Sequence, residues 1–63
     1  MKNILDHTSL EQERKNVSLS REELAHESGV NHTTIFRIEK GAVPRLDSWS
    51  KIVAVIEKHK QSV

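Results

Sequence analysis

No cysteine occurs in this chain, which excludes disulfide staples and thiolate metal ligation. No apolar run approaches the roughly 20 residues that span a bilayer, and none has the form of a signal-peptide core. The expectation is therefore a soluble cytoplasmic protein without a membrane association. Tyrosine is also absent, and aromatics are confined to Phe36 and Trp49. Alternating apolar and polar runs that would indicate strands are missing, which leaves an all-α chain. With one proline and two glycines, the few places where the backbone must break are well marked. At 63 residues there is room for one domain with a small core.

Formal net charge is only +1, too little to announce a polyanion partner, but its distribution is uneven. Residues 1–30 hold Lys2, Arg14, Lys15 and Arg21 against Asp6, Glu11, Glu13, Glu22, Glu23 and Glu27, a balance of −2. Residues 31–45 hold Arg37, Lys40 and Arg45 against Glu39 alone, a balance of +2. Positive charge gathers in one short stretch.

The spacing predicts four helices. Thr8-Ser9-Leu10-Glu11-Gln12 offers two overlapping capping boxes, Thr8 with Glu11 and Ser9 with Gln12, opening a first helix to about Asn16. Ser20 and Glu23 form another box, opening a helix over 21–28 that Gly29 stops by turning left-handed. Asn31 caps a third helix, His32 to Lys40, closed by Gly41. Pro44 keeps the next stretch a loop, and a fourth helix runs from about Leu46 to His59 with Leu46, Trp49, Val53 and Ile56 as its core stripe.

Only Gly29-Val30-Asn31 joins the second helix to the third, and so short a joint forces a steep crossing, the helix-turn-helix geometry. Ala25 suits the point of closest approach, Val30 fills the corner, and Ile35 and Ile38 turn the third helix inward. His32, Thr33, Phe36, Arg37 and Lys40 then face outward.

The stretch "REELAHESGVNHTTIFRIEKG", preceded by "LS" and followed by "PRLDSWSKIV", resembles the Cro and phage-repressor helix-turn-helix family, also called the xenobiotic-response-element family. The likeness covers about Leu10 to Ile56, with Leu24, Ala25, Gly29, Val30, Ile35 and Ile38 at the family's structural positions. It implies a compact four-helix, possibly four-to-five-helix, lambda-repressor-like domain over residues 1–63, with an N-terminal arm at 1–7 and a tail at 60–63. It further implies a sequence-specific regulator, a transcriptional repressor of bacterial or phage type, that reads double-stranded DNA with helix 31–40. By this resemblance His32, Thr33 and Arg37 take base-reading positions, joined by Phe36. Arg21, Asn31, Lys40 and Arg45 suit phosphates, and Arg14 pairs with Glu39. No cofactor, metal or small-molecule effector is implied. The chain departs from the family at Ser28, where a medium apolar residue is usual and whose hydroxyl should weaken packing. It departs also at Arg21, where many members carry glutamine, and in a shorter "GAVP" loop.

Three readings of Phe36 stay open: contact with thymine methyls, contact with a protein partner, or packing back onto Val43. Asn31 can cap, bind a phosphate, or do both. Trp49 reads as core rather than as a stacking platform. His7, His26 and His59 lack metal-ligand spacing, and no nucleophile motif, phosphate-cradling loop or paired-carboxylate setting points to catalysis. The competing class is an antitoxin-like or partner-docking module that keeps the fold without binding DNA. A shortage of cations in one copy argues for a homodimer on a palindromic operator. Ile52 and Val55, with Ile4 and Leu5 of the arm, are the candidates for its contact.

Overall fold

The computed structural model describes residues 7–61, and Ile4 and Leu5 lie outside them. Four α-helices follow one another: α1 Leu10–Asn16, α2 Arg21–Ser28, α3 His32–Glu39 and α4 Leu46–Gln61. There is no strand among the described residues. The last helix runs two residues past the expected end at His59, and α3 stops at Glu39, with Lys40 as its cap.

Helix α1 does not open as its sequence predicts. Ser9 makes no side-chain capping bond, and a 3-10 turn, His7–Ser9, leads into the helix instead. Glu11 and Gln12 turn along the helix to their i+4 neighbours, Lys15 at 3.1 Å and Asn16 at 3.0 Å. Helix α2 has both halves of its capping box: the Glu23 amide donates to Ser20 Oγ at 3.0 Å and the Ser20 amide to Glu23 Oε1 at 2.8 Å.

Left-handed residues end the first three helices. Gly29, at φ 73°, closes α2 with its amide on the Ala25 carbonyl at 2.9 Å. After α1 the same role falls to Ser18, at φ 60°. Its amide donates to Lys15 and the Leu19 amide to Arg14, the paired bonds of a Schellman motif. Gly41 repeats that pattern after α3, the Ala42 amide reaching the Arg37 carbonyl at 2.9 Å. Each reversal satisfies carbonyls that a helix end would leave bare.

Helix α2 packs on both α3 and α4, while α1 and the turn before it reach α3. Leu10, Leu24, Ile35, Ile38, Ile52 and Ile56 are fully buried, with Leu19, Val30, Trp49 and Val55 close behind. Each such aliphatic side chain contributes about 1.5–3 kcal/mol. Ser28 is buried as well, and its hydroxyl accepts the Val30 amide at 3.2 Å, so the polar substitution secures the corner rather than loosening it.

Two expectations for α4 are corrected. Ile52, 0% exposed, and Val55, 8% exposed, are core and not a dimer surface, whereas Leu46, read as core, is 84% exposed. At about 100° per residue Ile52 lies about 60° from Trp49 and Val55 about 120° on the same side, while Leu46 lies about 60° the other way. The buried stripe is centred on Ile52 and Ile56, so the helix is rotated from the stripe that Trp49 and Val53 define.

Ion pairs tie the C-terminal turns of α4 to the earlier helices. Lys60 Nζ meets the buried Glu13 at 3.0 Å, and Glu27 receives His59 Nε2 at 2.9 Å and Lys58 Nζ at 3.6 Å. The hydrogen bond with His59, outweighing partial desolvation, and the nearby charges of His59 and Lys58 hold the Glu27 carboxyl below its usual range.

Substitution at the left-handed residues tests this account of the turns. Ser18→Gly relieves a Cβ conflict and should raise unfolding stability by about 0.5–1 kcal/mol. Gly29→Ala meets nothing within 4 Å, so its expected loss of about 1–2 kcal/mol is conformational alone. Urea unfolding should show both as midpoint shifts at unchanged slope.

Candidate nucleic-acid interface

Asn31 starts α3, its Oδ1 accepting the Thr33 amide at 2.8 Å. Capping therefore occupies the oxygen and leaves the side-chain NH2 without a partner among the described residues. Because Ile35 and Ile38 are buried, the opposite face carries His32, Thr33, Phe36 and Arg37, all exposed. His32 also borders a shallow depression shared with Ser20, Arg21 and Glu22 at the start of α2.

Behind this face lies a cluster of charge. Arg14 Nε meets Glu39 Oε2 at 2.7 Å and its Nη1 donates to the Leu19 carbonyl at 2.9 Å. The Glu39 side chain is 3% exposed, and a carboxylate buried to this depth needs a directed partner such as Arg14. Arg21 Nε reaches the other oxygen, Oε1, at 3.3 Å, an attachment the sequence reading did not foresee. Arg21 is therefore tethered to Glu39, while its side chain keeps 35% exposure.

Phe36 is held by the same group. The Arg21 guanidinium carbon stands 4.9 Å from the ring centroid and Lys40 Nζ 5.3 Å from it, both within cation–π range. The ring does not pack back onto Val43, which is 82% exposed. The Lys40 contact, at i+4 on one helix, could have been inferred from the sequence. The Arg21 contact depends on how α2 crosses α3 and could not.

Cations elsewhere are mostly neutralised: Lys15 pairs with Glu11, Lys58 with Glu27 and Lys60 with Glu13. Among the described residues, Arg37, Lys40, Arg45 and Lys51 have no carboxylate within 4 Å, and the charge of Lys40 reaches Glu11 from farther off. The first three run from the exposed face of α3 to the start of α4. Among the described residues no group of three or more histidines and carboxylates could hold a metal, and no helix is long and apolar enough to cross a membrane.

Comparison with known proteins bears on what such a face does. A helix-turn-helix family model, of the Cro/C1 type, matches residues 10–61. Neither the curated proteins nor the solved structures gave a significant match.

The two arginines on Glu39 should differ in weight. Arg14→Ala takes the closer, buried donor from a buried carboxylate and should cost about 3 kcal/mol. Arg21→Ala leaves that donor in place and removes a partly solvated pair, at a cost below about 1 kcal/mol. Chemical denaturation of the two variants gives the order directly, and equal losses would contradict it.

Proposed function

The chain belongs to the Cro/C1-type helix-turn-helix family of DNA-binding regulatory domains, and from that premise we propose that it is a sequence-specific transcriptional repressor acting as a homodimer. In this reading α3 enters the major groove, whose edges carry a distinct donor and acceptor pattern for each base pair. Arg37 donates two bonds to a guanine edge, Thr33 bonds a base or phosphate oxygen, and His32 donates or accepts according to tautomer. Phe36 shares their face. Lys40 and Arg45 contact phosphates on either side, with the free NH2 of Asn31 and the solvated part of Arg21 beside them. Occupying an operator blocks polymerase, and the chain's regulatory effect follows from that occupancy.

The carrying observation is the unequal pairing of cations. Basic side chains away from α3 are mostly matched by acids, while Arg37, Lys40 and Arg45 have no carboxylate within 4 Å among the described residues. Unmatched cations around a helix with exposed donors suit a polyanion whose bases must also be read.

One copy supplies few such contacts. Electrostatic binding at that level is typically about 10⁻⁴ to 10⁻⁶ M at physiological salt. Two copies double the contacts and allow a palindrome to be read across half-sites about one helical turn apart. The contact between copies lies elsewhere than Ile52 and Val55, which are buried in the core.

Selection from random duplex DNA tests the reading and yields the half-sites. On the recovered duplex, Arg37→Ala should relax base preference at one position and cost about 1–3 kcal/mol. Arg45→Ala should weaken all sequences alike and flatten the salt dependence. Sequence-blind losses from both would reduce Arg37 to a phosphate contact. Sedimentation equilibrium with that duplex should give two chains per operator, and a one-to-one complex at saturating protein would refute the dimer.

A further inference from the structure

We propose that Phe36 reads the 5-methyl group of a pyrimidine in the major groove, with Arg21 and Lys40 as positioning residues that hold its ring in place. The proposal rests on the DNA-reading role of α3 and names one chemical feature which that role recognises.

Phenylalanine has neither donor nor acceptor, so it cannot read the hydrogen-bonding pattern of a base edge. The C5 methyl is the apolar feature that the major groove offers. The ring is placed for it: Phe36 is 39% exposed on the face that carries Thr33 and Arg37, with Ile35 and Ile38 buried behind. It is also held before any ligand arrives. Arg21 and Lys40 stand 4.9 and 5.3 Å from the ring centroid, and Arg21 is itself attached at 3.3 Å to Glu39, which the buried Arg14 holds at 2.7 Å. A ring fixed in this way loses little conformational entropy on binding.

The surroundings decide between a base and a protein. Cations border the ring on α2 and α3, and Arg37 follows it on the same helix without an acid partner among the described residues. An apolar spot rimmed with positive charge complements a methyl lying between two rows of phosphates. An apolar protein surface would gain nothing from that rim.

The test uses the full chain and the duplex recovered by selection, with each thymine replaced in turn by deoxyuridine, which removes only the methyl. A single such replacement should weaken the wild-type protein about fourfold, the effect of one buried methyl. Phe36→Ala should bind the two duplexes equally. Arg21→Gln should reduce the thymine-to-uracil ratio, and because loss of a phosphate contact affects both duplexes alike, that ratio reports ring placement rather than charge. Exchanging the same position to cytosine and to 5-methylcytosine separates the sources. A gain on methylation assigns the methyl on either base, and no gain assigns thymine alone, both upholding the proposal. Tight binding of the selected duplex with no uracil effect anywhere would overturn the methyl assignment and leave the repressor reading standing. An equal uracil effect in Phe36→Ala would assign the methyl to another side chain, and failure to select any duplex would defeat both readings.

Discussion

The Arg14–Glu39 pair joins parts of the chain that little else could hold in register. Glu39 ends α3 and Arg14 lies in α1, so their contact fixes the helix bearing the exposed polar face against the first. An ionised carboxylate this deeply buried costs several kcal/mol unless its lone pairs are met. Arg14 meets them with directed bonds and gives a further donor, Nη1, to the Leu19 carbonyl. That last bond anchors the turn between α1 and α2. One guanidinium thus determines the relation of three helices, and Arg21 and Phe36 are placed in turn by what it holds.

Around that pair the chain relies on local geometry more than on a large core. Left-handed residues close α1, α2 and α3, and each reversal lets the next helix begin within a few residues. Only two of the three are glycine, so the turn at Ser18 is formed against a modest steric cost that its hydrogen bonds offset. Helix α4, the longest, closes the core, and its C-terminal turns are fixed by charge to α1 and α2.

What could be read beforehand was whatever short-range chemistry decides. The capping box at Ser20, the corner at Gly29 and the inward pair Ile35 and Ile38 depend on residues three or four apart. The meeting of Arg14 and Glu39 was visible only through a resemblance, since nothing local relates positions 25 apart. The rotation of α4 is not legible locally, because an amphipathic stripe with Trp49, Ile52, Val53, Val55 and Ile56 is wide, and only the position of α2 selects its centre. Glu13 was invisible as a buried group, since its partner Lys60 arrives through the fold; Ser28 stood out as a packing position through the resemblance, and its bond to the Val30 amide, two residues on, is local. On the exposed face the outward direction of His32, Thr33, Phe36 and Arg37 followed from periodicity. The attachment of Arg21 to Glu39 and Phe36 did not.

Two guanidiniums share one carboxylate in that cluster, so the stabilising group is not neutral: it carries a surplus of one positive charge immediately beneath the exposed helix. Guanidinium does not lose its proton in the physiological range, and the surplus therefore persists wherever the fold does. Its potential extends over a distance comparable to the screening length, about 8 Å at physiological ionic strength. The interaction that orients the helices is thereby also a fixed source of the field that an approaching polyanion meets first.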